Sequence, residues 1–399
     1  MTRVTELSVR DFKAVDEAEV HPGGVNLIVG RNNVGKTSLL EALHLALDPS
    51  SISRFDGNLD KVVREGAEEA TVNIEVGGDV EVANRPVTVE RYDEDAAFDL
   101  FRRDLEAEVR KVLDEISDYT AETASIDKQE AIKSAKNRKQ YKRLNRLLSI
   151  VNGDTYHSTE YIKLIKETAV NRDILERTLN NEESLSNPIG VSGDYIYNLE
   201  GTRFEFGWSE SEELMSTRFV VSPGITNDTP DPNTDGAAIR RSRIEDFLID
   251  NDIVDGLVDF SFGRLVFEEG DEREEVPYDF MGSGFKTLVG ILWELYDQDA
   301  DTEVMLIEEP AVHMHPGYVN EFTQQLLQVA RQEDVQLFLT THREDLIESF
   351  FAPPTEREHG DFLREEFRVI QMTDLLAKEL DYEQAEAELE ELNTDLRGI

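Results

Sequence analysis

Gly30-Arg31-Asn32-Asn33-Val34-Gly35-Lys36-Thr37 carries the spacing G-x-x-x-x-G-K-[ST]. Two glycines let a loop curl so that successive N–H groups point at one anion, and a helix starting at Lys36 adds its positive end. The lysine supplies a point charge for the β- and γ-phosphates. Thr37 offers a hydroxyl oxygen to Mg²⁺. Gly30, Arg31, Asn32, Asn33, Val34, Gly35, Lys36, Thr37 and Ser38 are therefore candidate nucleotide contacts.

Three further runs could complete such a site. Val304-Met305-Leu306-Ile307-Glu308-Glu309-Pro310 reads as a buried parallel strand ending in two acids, where open α/β sheets place their chemistry. Glu308 is expected beside Thr37 as a metal ligand, and Glu309 as the base or water-orienting residue. Gly282-Ser283-Gly284 precedes an apolar helix predicted over 287–296 and lies 24 residues before Glu308. It could hold a second anion, although alone it would be only a helix start. Thr340-Thr341-His342-Arg343 follows a strand predicted over 335–339, so His342 could reach a terminal phosphate. No N-K-x-D guanine motif occurs, which favours ATP over GTP.

One fold must bring these runs together. Residues 2–29 alternate as strand, turn and strand, with the turn at Asp11-Phe12-Lys13 and the apolar run Val25–Val29 entering the glycine loop. A helix is predicted over Lys36–Leu47, with Leu39, Leu40, Leu43 and Leu47 on one face and Asp48-Pro49 ending it. Residues 70–92 read as strands and 97–182 as long charged helices. Short strands are expected at 194–199, 203–208 and 219–221, then a loop at 223–235 and a helix over 239–251. Strands near 259–268 and 275–280, a β/α run to 372 and an acidic helix over 373–397 complete the chain. Lys36 and Glu308 stand 272 residues apart, far more than a minimal nucleotide-binding core needs. The expected fold class is α/β, with a mixed sheet and an inserted helical lobe. Its divisions are 1–96, 97–182, 183–372 and 373–399.

Composition narrows the class. The 399 residues are 39% hydrophobic and 32% charged, a globular balance. The longest apolar runs fall far short of a membrane span, and MTRVTELSVRDF has no signal-type apolar core. Cysteine is absent, which excludes thiolate metal sites and disulfides. These features predict a soluble cytoplasmic protein. Acidic residues outnumber basic ones 85 to 41, for a net charge of −44, and arginine outnumbers lysine 28 to 13. Self-repulsion of that size is screened within a few ångströms in molar salt, as in a halophile's cytosol. Overall acidity therefore does not argue against a nucleic-acid partner.

The four runs GRNNVGKT, GSGFKT, LIEEPAVHMHP and TTHRED, in that order, resemble the ATPase modules of the overcoming-lysogenization-defect (OLD) type, relatives of SMC and RecF heads. The likeness covers residues 1–48 and 280–372. It implies a P-loop fold of the ABC/SMC-head type that uses ATP and Mg²⁺, and a homodimer sandwiching two nucleotides. Gly282, Ser283 and Gly284 of one protomer would complete the partner's site. His342 would be the switch histidine, Glu309 and Lys36 would act in hydrolysis, and Phe12 and Lys13 would lie near the adenine. Ala311 stands where a glutamate is usual and Arg343 where serine is common; no glutamine is identified for the Q-loop. His313 and His315 read as structural or D-loop residues rather than a metal pair. Only one acidic helix is expected after the last strand, so a TOPRIM nuclease domain is not expected, and DNA cleavage would fall to a separately encoded effector.

Residues 128–146 (KQEAIKSAKNRKQYKRLNR) hold eight basic residues and one acid. Lys136, Arg138, Lys139, Lys142, Arg143 and Arg146 are the candidate DNA-binding residues; pairing with acidic neighbours is the alternative. The expected function is an ATP-driven dimeric head controlling DNA repair or anti-phage defence. A nearly non-hydrolysing assembly scaffold is the second reading. A transporter subunit is disfavoured by the insertion and the EEP-x-x-H-x-H-P run.

Overall fold

The computed structural model describes residues 2–55, 58, 61–78, 83–91, 195–199, 202–207, 217–221, 236–270, 272–296, 302–374, 376–390 and 396–397. The chain opens with β1 (Thr2–Phe12), β2 (Val15–Val20), β3 (Val25–Val29) and α1 (Lys36–Leu47). Next come β4 (Glu69–Gly78), β5 (Ala83–Arg91), β6 (Tyr195–Leu199), β7 (Thr202–Phe206) and β8 (Thr217–Val221). Helix α2 (Ala237–Asp250), β9 (Leu257–Phe260), β10 (Arg264–Glu269), β11 (Glu272–Pro277) and α3 (Ser283–Leu295) follow. The last elements are β12 (Val304–Glu308), α4 (Pro316–Gln332), β13 (Gln336–Thr341), α5 (Glu344–Phe350), α6 (Pro353–Glu366), β14 (Phe367–Met372), β15 (Ala377–Asp381) and α7 (Tyr382–Glu390).

Two compact units emerge. The first comprises Met1–Ser51, Val72–Arg85 and Leu214–Ile399; the second comprises Ile52–Thr71 and Pro86–Glu213. The second thus takes in strand-bearing segments on both sides of the lobe expected over 97–182, a span outside the described residues. Within it, β7 pairs antiparallel with β5 and β6, setting buried Val87 opposite Phe206 and Val89 opposite Phe204.

The first unit is organised by a sheet of order β15-β14-β3-β13-β12-β8. Strands β14, β3, β13, β12 and β8 run parallel, and β15 joins antiparallel at the edge. Every residue of β3 and β13 is buried. Parallel strands covered on both faces read as mostly apolar runs for this reason, and the polar Asn26, Gln336, Thr340 and Thr341 are buried with them. Val25, Leu27, Val29, Met305, Ile307, Leu337 and Leu339 point into the main core with the apolar faces of α2 to α7. Helix α1 packs near β8, β12, β13 and β1. Two buried amides fasten edges that apolar contact leaves unspecified. Gln336 accepts from the Val4 N–H and donates to the Val4 and Gly23 carbonyls, and Asn26 donates to the Gly23 and Leu337 carbonyls.

Helix α1 occupies the predicted span. Three expectations change. The strand predicted near 259–268 is a hairpin, because the turn at Ser261–Gly263 folds β10 back on β9. The helix expected after the Gly282 run begins at Ser283, so Ser283 and Gly284 lie in its first turn. The tail is not one acidic helix: residues 377–381 first pair with β14, which buries Leu380, and the helix starts only at Tyr382. Among the described residues no helix is long and apolar enough to cross a membrane.

Candidate functional site

Strand register places the chemistry. Glu308 at the end of β12 lies opposite Thr340 of β13, and Thr341 lies opposite Val29 of β3. The carboxyl ends of three neighbouring strands therefore deliver the glycine loop, the two acids and His342 to one edge.

The loop from β3 to α1 needs its glycines. Gly30 has φ 151°, and a Cβ there would lie 2.7 Å from the Met372 carbonyl oxygen and 2.8 Å from Val34 Cγ2. Gly35 caps α1 in the left-handed region at φ 99°, close against Val15. Arg31, Asn32 and Asn33 are exposed, whereas Val34, Lys36 and Ser38 are buried. Lys36 Nζ donates to the Gly30 and Arg31 carbonyls at 2.9 and 2.8 Å. Burial lowers its pKa, while the charges of Glu309 and Glu308 act to hold it up.

Thr37 Oγ1 donates to Glu308 Oε1 at 2.5 Å. A hydroxyl and a carboxylate brought together beside a phosphate-type loop are the hard oxygen donors that suit Mg²⁺, so the residues present fit an ATP–Mg²⁺ pair. Bound Mg²⁺ would neutralise charge on the phosphate oxygens.

Glu309 sits at φ 49°, in the left-handed region. A non-glycine residue held there costs on the order of 1–3 kcal/mol and persists only where its surroundings enforce it. Here its N–H meets the Thr340 carbonyl at 3.1 Å and Thr340 Oγ1 at 3.2 Å. Its carboxylate contacts His342 twice: Oε1 lies 2.7 Å from Nδ1, and Oε2 accepts from the backbone N–H at 3.4 Å. By their positions in the sequence, Glu309 and His342 have separate expected tasks. In the fold they form one pair, with the imidazole aiming the carboxylate.

The two glycines of the third run differ. Gly282 is exposed, has an ordinary extended backbone, and among the described residues an added Cβ would meet nothing within 4 Å. Gly284 is buried, and its Cβ would fall 2.2 Å from the Tyr318 ring of α4. Ser283 Oγ donates to the His313 carbonyl at 2.9 Å. His315 Nδ1 accepts from the Gly317 N–H and so caps α4, a structural role in agreement with its reading.

Phe12 is wholly buried, and the adjacent Lys13 pairs with Glu41 of α1 at 2.5 Å. Arg343, marked only as a departure from the usual serine, donates to the Ala311 and Met314 carbonyls and grips Asp345. Lys136, Arg138, Lys139, Lys142, Arg143 and Arg146 lie outside the described residues.

The DNA replication and repair protein RecF of Leifsonia xyli subsp. xyli is 43% identical over 77 residues, 18% of this chain and 19% of that protein. Its counterpart from Nitrosococcus oceani is 46% identical over 46 residues, 11% of this chain and 13% of that one. The chain thus aligns with about a fifth or less of the length of these curated relatives. Among solved structures, the SMC head domain from Thermotoga maritima aligns over 95% of this chain and 98% of its own, at 12% identity and a TM-score of 0.42. The family described as "AAA domain, putative AbiEii toxin, Type IV TA system" matches residues 25–348, from the first residue of β3 to the middle of α5, and the chain belongs to it.

Proposed function

We propose that this chain binds and hydrolyses ATP with Mg²⁺ as an ABC-type head, and that two copies close around the nucleotide to control a DNA transaction with a separately encoded effector. The observation carrying this reading is the convergence of Lys36, the Thr37–Glu308 contact and the Glu309–His342 pair at the carboxyl ends of β3, β12 and β13. Lys36 would bind the β/γ end of the triphosphate, and Thr37 and Glu308 would hold the ion. Glu309, aimed by His342, would orient the attacking water and take its proton. The OLD-type motif order and the RecF resemblance support DNA as the context, in repair or defence. The charge of −44 supports a halophilic cytosol as the setting.

Gly282 tests the dimer. Among the described residues nothing requires glycine at this position, so a requirement there is read as close approach by another molecule. Gly282→Ala is expected to leave monomer stability within about 0.5 kcal/mol. It should nevertheless raise the dissociation constant of the ATP-dependent dimer at least about tenfold, a loss of about 1.4 kcal/mol. Gly284→Ala, by contrast, should destabilise the monomer by about 1–3 kcal/mol through its clash with Tyr318. Sedimentation with and without ATP, alongside thermal melts, separates the two. Unimpaired ATP-dependent dimers of Gly282→Ala would remove the trans role of this run.

The basic segment 128–146 tests the DNA assignment. Seven phosphate contacts would give a log–log salt slope of roughly −6, so a tenfold rise in salt would weaken a purely electrostatic site about a million-fold. Binding that functions in molar KCl therefore needs short-range arginine contacts and the avidity of a closed dimer. Fluorescence anisotropy with duplex DNA should show ATP-dependent binding that survives 1 M KCl, a concentration where the Debye length is about 3 Å. Changing Lys136, Arg138, Lys139, Lys142, Arg143 and Arg146 to Glu should abolish it. Binding that persists in that variant would assign the segment to another role.

A further inference from the structure

The turn between β12 and α4 carries two functional contacts at once. It begins at Glu309, whose positive φ demands outside support, and its His313 carbonyl receives the Ser283 hydroxyl at 2.9 Å. Internal bonds of the turn run from the Val312 N–H to the Glu309 carbonyl and from the Met314 N–H to the Ala311 carbonyl. The external brace comes from Arg343. Its Nη1 reaches the Ala311 carbonyl and, at 3.0 Å, the Met314 carbonyl. Its Nε and Nη2 hold both oxygens of Asp345, the Nε bond at 2.9 Å. Asp345 in turn accepts from the Leu346 N–H at 3.0 Å, at the start of α5. The Arg343 N–H is itself tied to Thr341 Oγ1 at 3.0 Å.

We propose that Arg343 is a positioning residue that locks the Glu309–His315 turn to the end of β13. This bond set fixes Glu309 against His342 and Ser283 against His313 in one rigid bracket. The proposal rests on the ATP-hydrolysis reading above. A serine at 343 has one short hydroxyl and cannot span two carbonyls of a neighbouring turn, whereas a guanidinium holds both while its other edge is fixed by a carboxylate. The arginine side chain is only 17% exposed, which keeps water from competing for the two carbonyls.

The test uses the full chain and three readouts. Arg343→Ala is expected to lower kcat about a hundredfold, the scale of an ångström-sized misplacement of a reacting group. The affinity for ATP should move less than about twofold, because the glycine loop and Lys36 are untouched. Arg343→Lys keeps the charge but not the fork and should remain at least about tenfold slow, which covers the case of an alanine variant that does not fold. On a Glu309→Gln background, Arg343→Ala should add less than about threefold, since both act through one group. Amide hydrogen exchange without nucleotide should quicken in 309–315 and 282–286 but not in α1. An unchanged kcat, losses that multiply on the Glu309→Gln background, or unchanged exchange in those segments would each overturn the proposal. A wild-type chain without ATP hydrolysis would instead overturn the ATPase reading, and this role with it.

Discussion

Lys36→Ala is expected to abolish measurable ATP binding. The side chain is buried in its own loop, with Nζ bonded to the Gly30 and Arg31 carbonyls, and Glu308 and Glu309 lie close enough to act on its charge. Removing the ammonium leaves two carboxylates facing the position of a triphosphate with no lysine in the loop to offset them. Charged hydrogen bonds of this kind contribute about 1.5–3 kcal/mol each, so losing those that Lys36 would make to the β- and γ-phosphates implies an affinity loss of at least about a hundredfold. Isothermal titration with ATP and Mg²⁺ measures this, with a thermal melt to show that the fold persists. Wild-type affinity in the variant would remove the nucleotide assignment from the glycine loop.

Glu309→Gln is the second large effect and separates binding from turnover. Glutamine has nearly the same shape, can keep the φ 49° turn with its N–H on Thr340, and retains an oxygen for the His342 imidazole. It lacks only the negative charge and the capacity to take a proton from water. Loss of a positioned general base costs about 10²–10⁴ in rate, so steady-state hydrolysis should fall by that range while ATP still binds. Dimers retained by unhydrolysed nucleotide should then accumulate on size exclusion with ATP. Glu308→Gln should behave differently, weakening the Mg²⁺-dependent part of binding because it pairs with Thr37. Full turnover in Glu309→Gln, or intact Mg²⁺ dependence in Glu308→Gln, would reverse the roles given to the two acids.

Much of the site was legible because its chemistry lies in short contiguous runs whose spacing has a backbone cause. The glycine loop needs positive φ at Gly30 and Gly35, and residues 36–47 needed only a glycine cap and leucines at helical spacing. The apolar run at 304–307, and the run at 25–29 interrupted only by Asn26, announced strands buried on both faces. Contacts between distant residues were not legible in this way. Glu309 and His342 are 33 positions apart and meet because β12 and β13 pair with Glu308 opposite Thr340. The grip of Arg343 on a neighbouring turn depends on the same register. Gly282 and Gly284 looked alike until Tyr318 came against one of them. Residues 377–381, acidic and plausible as helix, became strand because the open edge of β14 offered hydrogen bonds that outweigh a small helical preference. The residue types that could meet a nucleotide were thus set locally by the sequence, whereas strand register and packing decided which of them touch one another.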